Sequence, residues 1–131
     1  MKRIGFIRTL AVYLALLVLP LGAQAQEAAR IEPLSIVTDH SATLFAAEIA
    51  DNPELRDRGL MFRHVLPADR AMLFDFENPR PAAMWMKNTY ISLDMLFVRA
   101  DGTIAAIAEN TEPLSTQTIS VDEPVLGVVE L

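Results

Sequence analysis

The class of fold is decided by one stretch, DMLFVRADGTIAAIA at residues 94–108. Met95 to Val98 is a continuous apolar run, which is typical of a strand covered on both faces. Asp101-Gly102 is a strong turn signal, and Thr103 to Ala108 supplies the returning strand. The stretch therefore predicts a β-hairpin.

Short strands separated by breaking residues are expected on both sides of this hairpin. Thr43 to Ile49 alternates with a period of two and should pair with a strand at Leu34 to Val37. Three further segments are predicted to be extended, namely Ala71 to Phe76, Met84 to Thr89 and Val125 to Leu131, with breaks at Pro79, Pro81, Pro113 and Pro124.

One short helix is predicted near residues 53–58. Asn52 can cap its start, Pro53 suits the first helical position and Glu54 faces the positive end of the helix dipole. Gly59 then stands where a left-handed C-terminal residue is wanted, so the helix must be brief.

This pattern predicts a mainly β domain, either an all-β sandwich or a partly closed barrel, with that one helix. The alternative is an α+β domain with a second helix within residues 112–122. The Thr, Ile and Val content of that segment argues against the alternative.

The N-terminus has the pattern of a signal peptide. Basic residues precede an apolar run at residues 10–19, and Ala23-Gln24-Ala25 offers a cleavage site. The run is shorter than a spanning helix needs, although an uncleaved N-terminal anchor is the alternative. We therefore expect a signal peptide at residues 1–25, a flexible leader at 26–33 and a single β domain at 34–131, periplasmic or secreted and not stably inserted in a membrane after cleavage.

Cleavage would leave an acidic protein without cysteine. Removing Lys2, Arg3 and Arg8 leaves eight basic residues against 17 acidic ones, a net charge of −9. That balance disfavours nucleic acid and anionic membrane surfaces as partners. The absence of cysteine from the sequence excludes thiol catalysis and thiolate metal sites.

Five ordered segments carry a family resemblance: Arg56-x-Arg58-Gly59-Leu60-Met61-Phe62-Arg63, Leu66-Pro67, Met72-Leu73-Phe74-x-Phe76, Trp85-Met86-Lys87-Asn88-Thr89 and Leu93-Asp94-Met95-x-Phe97. From about Phe45 to Leu131 the chain resembles the domain of unknown function 192 family. The resemblance implies a small, mainly β domain of jelly-roll-like or barrel character, often exported, and no established activity.

The chain departs from that family at two places. Members usually carry glycine where this chain has Ala71, so we expect ordinary extended backbone there. Members also continue for a few tens of residues past the final strand, whereas this sequence ends at Leu131. We therefore expect a C-terminally truncated domain, from a shortened gene or an incomplete sequence, with an unpaired strand edge.

Two groups of residues are candidates for a binding site. Arg56, Arg58, Arg63, His64 and Arg70 concentrate positive charge, and arginine forks bind carboxylates and phosphates. The alternative is that these arginines pair with nearby acidic residues, namely Asp51, Glu54, Asp57, Asp69 and Asp75.

The second group follows along the chain. Trp85 can offer a flat platform for a sugar or base, with directional hydrogen bonds from Lys87, Asn88 and Asp94. The alternative is that Asp94 and Asn88 are turn residues. We predict a ligand-binding surface that combines Arg58, Arg63, Trp85, Lys87, Asn88 and Asp94.

Metal and cofactor chemistry has weaker support. Met84 and Met86 would share one face of a strand, and thioethers favour cuprous copper. Methionine also fills gaps in apolar cores, and we favour that interpretation. No metal and no cofactor are therefore predicted.

Signatures of catalysis are few, since no Gly-x-Ser-x-Gly, His-Glu-x-x-His or phosphate-cradling loop occurs. We therefore expect binding of a small polar or anionic molecule, or of an envelope protein. One alternative is an enzyme acting on a sugar-like substrate with Asp94 as the catalytic carboxylate. The other is an interaction module that uses an open strand edge near Leu131.

Overall fold

The computed structural model describes residues 28–131, so the predicted signal peptide lies outside the described residues. The described part contains eight strands and one helix. Their bounds are β1 Ile31–Val37, β2 Ala42–Ala50, α1 Pro53–Arg58, β3 Arg70–Arg80, β4 Ala83–Met84, β5 Met95–Val98, β6 Ile104–Ala108, β7 Ile119–Ser120 and β8 Val125–Glu130. The six-residue helix is too short to cross a membrane, and residues 28–131 contain no other helix.

The domain is mainly β, as predicted, and its sheet is not closed into a barrel. Six strands form one sheet in the order β1-β2-β3-β8-β5-β6, and β4 pairs with β7 in a second, two-stranded sheet. The β2–β3 pair is parallel, with α1 in its connection, and the other pairs are antiparallel. The hairpin predicted at residues 94–108 is present as β5 and β6.

The last strand lies inside the sheet rather than at its edge. β8 pairs with β3 on one side and with β5 on the other, whereas β1 and β6 form the two edges. The prediction that an open edge lies at the C-terminal strand is therefore wrong. A strand at the end of the sequence can be central in a sheet, because its place depends on which distant strands it pairs with.

The two faces of the large sheet support separate apolar clusters. One cluster includes Leu60, Phe74, Phe97 and Val128 and is covered by α1 and the 81–93 segment. The other includes Ile49, Leu96 and Val129 on the opposite face. Alternation along β8 sends Val128 to the first cluster and Val129 to the second, as the period of a strand requires.

Most predicted elements are confirmed, with shifted boundaries. The helix occupies residues 53–58, and Asn52 Oδ1 accepts the Leu55 N–H at 2.9 Å. β1 begins at Ile31 and so includes three residues that were assigned to the leader. Residues 112–122 contain a turn and β7 instead of a second helix.

Two segments differ from their predicted conformations. β3 continues through Pro79 instead of ending before it. Its pairing with β8 is irregular between Asp75 and Arg80, so no hydrogen bond between these strands requires an N–H from Pro79. The predicted strand from Met84 to Thr89 is wrong beyond Met84. Lys87 and Asn88 form a turn because Asn88 has a left-handed φ of 56°.

Candidate functional site

A cavity of about 630 Å³ lies between the end of α1, the second half of β3 and the segment from Pro81 to Thr89. Its apolar lining includes Leu60, Phe74, Phe76 and Met84. Ligand sites in proteins commonly occupy about 300–1,000 Å³ and combine an apolar wall with a few polar groups. This concavity is therefore our candidate site.

The end of α1 is held against the cavity wall by Gly59. Its N–H donates to the Leu55 carbonyl at 2.9 Å, and its φ of 47° is one that glycine adopts without strain. A Cβ at this position would lie 3.0 Å from Phe74 Cζ. The glycine thus lets the helix end approach the Phe74 ring and leaves Arg58 at the cavity.

The segment that follows β4 is held by backbone hydrogen bonds from distant residues. The Phe62 N–H donates to the Asn88 carbonyl at 2.8 Å, and the Met86 N–H donates to the Ser115 carbonyl at 2.9 Å. Asn88 Nδ2 also donates to Met61 Sδ at 3.8 Å. The turn carrying Lys87 and Asn88 is therefore fixed from two sides.

Two cations of the cavity lining lie close to aromatic rings of the same lining. Trp85 is half exposed, and Lys87 Nζ lies 5.1 Å from the centroid of its indole. Arg80 Cζ lies 4.2 Å from the centroid of the Phe76 ring. Cations at such distances are attracted to the ring face.

The charge of the cavity lining is predominantly positive. Arg56, Arg58, Arg80 and Lys87 line it, against two carboxylic side chains, Asp57 and Glu130. Within residues 28–131 none of those four cations forms a salt bridge. Arg56 instead donates from Nη1 to the backbone carbonyl of Asp75 at 2.8 Å. The proposed pairing of the arginine cluster with Asp51, Glu54, Asp57, Asp69 and Asp75 is not formed among these residues.

Glu130, like Arg80, lines the cavity but was not predicted from the sequence. Only 4% of it is exposed, and its cross-strand neighbours are Met72 and Met95. Burial raises the pKa of its carboxyl to about 8. The sequence does contain one sign of it, a single acidic residue inside the apolar run from Val125 to Leu131. Carboxyl groups are rarely buried in a covered strand unless they are paired.

The Glu130 carboxyl has no hydrogen-bond partner among the side chains and backbone groups of residues 28–131. In that part of the chain, no fully enclosed side-chain nitrogen or oxygen lacks a partner. The Glu130 oxygens therefore remain in contact with the cavity.

The structure brings together four of the six predicted site residues. Arg58, Trp85, Lys87 and Asn88 line the cavity. Arg63 lies outside its lining and forms a two-pronged salt bridge with Glu48. The binding role of all six residues remains a prediction.

Asp94 also lies outside the cavity lining. Its Oδ1 accepts the Asn110 N–H at 2.7 Å, and its backbone exchanges two hydrogen bonds with Leu131. This arrangement matches the alternative that Asp94 stabilises a turn.

The two methionines proposed as copper ligands belong to the core. Met86 is fully buried and Met84 packs against the same apolar cluster. Met86 Sδ accepts a hydrogen bond from Thr111 Oγ1 at 3.2 Å. Within the described residues, no group of three or more His, Asp or Glu side chains could hold a metal ion.

A second concavity, of about 690 Å³, lies on the opposite face of the large sheet. Leu34, Leu73, Leu96 and Val129 contribute to its mostly apolar lining. Of its charged lining residues, Arg99 is paired with Glu123 at 2.9 Å. Its chemistry is therefore less suited to a polar ligand than that of the first cavity.

Comparison with known proteins gives one family and two solved structures. The model of the family described as "Uncharacterized ACR", domain of unknown function 192, matches residues 35–131. A crystal structure from Sinorhizobium meliloti 1021, described as a "putative transcription regulator", is 43% identical. The alignment covers 81% of this chain and 83% of that one, with a TM-score of 0.78.

The second structure is a protein of unknown function from Novosphingobium aromaticivorans DSM 12444. It is 33% identical over 77% of this chain and 72% of that one, with a TM-score of 0.75. No curated protein matches the sequence. The family match confirms the resemblance inferred from the five segments.

Proposed function

The chain belongs to the domain of unknown function 192 family, and from the cavity beside α1 we propose that it binds a small organic anion. The observation that carries the proposal is the cavity lining. Four cations outside any described salt bridge line the cavity together with apolar side chains and a half-exposed indole. In a protein with an excess of acidic residues, such a local concentration of positive charge is unusual.

The lining defines the chemical class of the ligand. Guanidinium groups bind carboxylate or phosphate oxygens through two parallel hydrogen bonds, and Lys87 adds a point charge next to the indole. Trp85 can stack on a flat or ring-shaped polar body, while the Asn88 amide supplies a donor and an acceptor. An acidic sugar or a similar ring-bearing carboxylate combines these features.

A nucleic acid is a less suitable ligand, although the Sinorhizobium meliloti relative is described as a "putative transcription regulator". Residues 26–131 carry eight basic and 17 acidic residues, so the long-range field repels a polyanion. The only helix within the described range has six residues and forms the wall of a cavity. We therefore extend no DNA-binding role to this chain.

The proposed place of action is the periplasm or the extracellular medium. This follows from the basic start, apolar run and cleavage pattern of residues 1–25. N-terminal sequencing of the protein from the periplasmic fraction should begin near Gln26. Recovery only from the cytoplasm with Met1 retained would contradict this part of the proposal.

Intrinsic fluorescence provides a direct test of binding, because Trp85 is the only tryptophan in the sequence. Glucuronate, citrate and sulfate should each be titrated against the protein at constant ionic strength. We expect saturable fluorescence changes for at least one of them, weakened about tenfold or more by Arg58→Ala or Lys87→Ala.

Arg99→Ala is the matched control, because it removes the same charge at a site away from the cavity, where Arg99 is paired with Glu123. It should leave the affinity unchanged. If Arg99→Ala weakened binding equally, the effect would come from the net charge of the protein and not from the cavity. If none of the three anions gave a saturable response, the proposal would be refuted.

A further inference from the structure

The carboxyl of Glu130 adds a titratable group to a cavity whose other charges are mainly positive. Glu130 lies on β8, the strand between β3 and β5, and is almost completely buried. No hydrogen bond or salt bridge within residues 28–131 occupies its carboxyl oxygens, which remain in contact with the cavity. A buried polar group without a protein partner is a candidate for a ligand contact.

We propose that protonated Glu130 donates a hydrogen bond to an acceptor oxygen of the bound anion, so that anion binding is coupled to retention of this proton. This inference rests on the proposed function and names the group that sets its specificity. The ligand then needs an anionic group for the cations and an acceptor oxygen that reaches Glu130.

The charged groups around Glu130 come from three parts of the chain. Arg56, Asp57 and Arg58 belong to α1, Arg80 belongs to β3, and Lys87 belongs to the turn after β4. Its direct neighbours on β3 and β5, Met72 and Met95, are apolar. None of the cations contacts the Glu130 carboxyl within salt-bridge distance.

Burial therefore decides the protonation state of the free protein. Taking a carboxylate out of water disfavours its charged form, and the pKa of Glu130 rises to about 8 as a result. At neutral pH the group is a neutral acid that can donate through its O–H.

The protonation state of Glu130 decides whether its carboxyl attracts or repels a bound anion. The neutral acid donates a hydrogen bond to a ligand oxygen, whereas the ionised form has no donor and repels the anion. By linkage, a ligand that prefers the protonated form must raise the pKa of Glu130 to the same extent. Affinity should consequently fall as the pH rises through the titration of this carboxyl.

A ligand with a cationic group reaching Glu130 would behave in the opposite way. It would pair with the ionised carboxylate, release a proton on binding and bind more tightly at higher pH. The predominance of cations in the lining argues for an acceptor oxygen instead, because a cationic group would approach four like charges.

The test compares the wild-type protein with Glu130→Gln, which keeps a hydrogen-bond donor and removes the titration. Glucuronate affinity is measured by Trp85 fluorescence from pH 6.5 to 9, a range in which glucuronate itself stays ionised. We expect wild-type affinity to fall above about pH 8, approaching tenfold per pH unit, and the variant to remain flat. The carboxyl ¹³C shift of Glu130 in the free protein checks independently that the group titrates in this range.

Calorimetry of the wild-type protein in two buffers of different ionisation enthalpy gives a second reading that needs no variant. Near pH 8 about half a proton should be taken up per glucuronate bound. Binding without proton uptake, or with proton release, would overturn the coupling while leaving the proposed binding intact. Absence of glucuronate binding at every pH, with sulfate and citrate also failing, would instead refute the proposed function and the coupling with it.

Discussion

Arg63 and Glu48 form a two-pronged salt bridge that ties the loop after α1 to β2. Arg63 Nη1 lies 2.6 Å from Glu48 Oε1, and Arg63 Nη2 lies 2.7 Å from Glu48 Oε2. The hydrogen bond to Arg63 lowers the pKa of the Glu48 carboxyl, and the bond to Glu48 raises the pKa of the Arg63 guanidinium. The guanidinium fork that the sequence analysis assigned to a ligand is thus used within the fold.

Replacing Arg63 by alanine should destabilise the protein without weakening ligand binding in the cavity. The salt bridge is partly buried, and removing one partner leaves the other without its hydrogen bonds, so we expect a loss of about 1–3 kcal/mol. Chemical denaturation of Arg63→Ala, Glu48→Gln and the double variant measures the coupling.

The contribution of this pair should also depend on pH in a defined direction. Because the folded-state pKa of Glu48 is lowered, its stabilisation is present above the unfolded-state pKa and is lost as the pH falls through the folded value. The stability difference between wild type and Arg63→Ala should therefore shrink in acid. A tenfold loss of glucuronate affinity in a folded Arg63→Ala protein would instead show that Arg63 contributes to ligand binding.

Asp94 should likewise prove structural. Its carboxylate accepts the N–H of Asn110, whose φ of 49° is left-handed, and so stabilises that turn. We expect Asp94→Ala to cost about 1–3 kcal/mol of unfolding free energy, and Asp94→Asn to cost less because its amide oxygen can still accept.

Glucuronate affinity should stay within about twofold of wild type in both Asp94 variants, since the side chain lies outside the cavity lining. The enzyme alternative, with Asp94 as catalytic carboxylate, makes the opposite prediction. Turnover of a glycoside in a hydrolase panel, abolished by Asp94→Asn with the fold intact, would support the enzyme.

Local sequence signals predicted the local structure well. Asn52 and Gly59 mark the two ends of α1 because capping depends on a few neighbouring atoms. The Asp101-Gly102 turn and the apolar run before it predicted the β5–β6 hairpin for the same reason. Each of these elements is decided within about a dozen residues of chain.

Contacts between distant residues account for what was missed. The turn at Lys87-Asn88 depends on hydrogen bonds from Phe62 and to Ser115, which no local pattern reveals. The central position of β8 depends on pairing with β3, about fifty residues earlier in the sequence. Arg63 finds Glu48 across a loop for the same reason, instead of one of its nearer acidic neighbours.

Four of the six candidate residues were suggested by the chemistry of their side chains, and they line one cavity because their segments converge there. Glu130 was missed because its strand pattern is otherwise apolar, and burial of a carboxyl cannot be inferred until neighbouring strands are known. Its chemistry arises from its burial among apolar neighbours, which is a property of the assembled sheet.

Glu130 should make the protein less stable as the pH rises, which is the reverse of the effect of Glu48. Its folded-state pKa is about 8, whereas the ordinary value is 4.5. Between these values the folded protein holds a proton that the unfolded chain releases, so the unfolding free energy falls with increasing pH. The slope approaches about 1.4 kcal/mol per pH unit within this window and vanishes above and below it.

Glu130→Gln removes this dependence, because the amide does not titrate in either state. Relative to wild type, the variant should gain several kcal/mol of unfolding free energy between about pH 5 and pH 8, with the difference constant above that. Guanidinium denaturation of both proteins at matched pH values measures the difference, in which the titrations of all other groups largely cancel. A difference that stays the same from pH 5 to pH 9 would mean that Glu130 ionises at its ordinary pKa in the folded protein, which would contradict the effect expected from burying this carboxyl between Met72 and Met95.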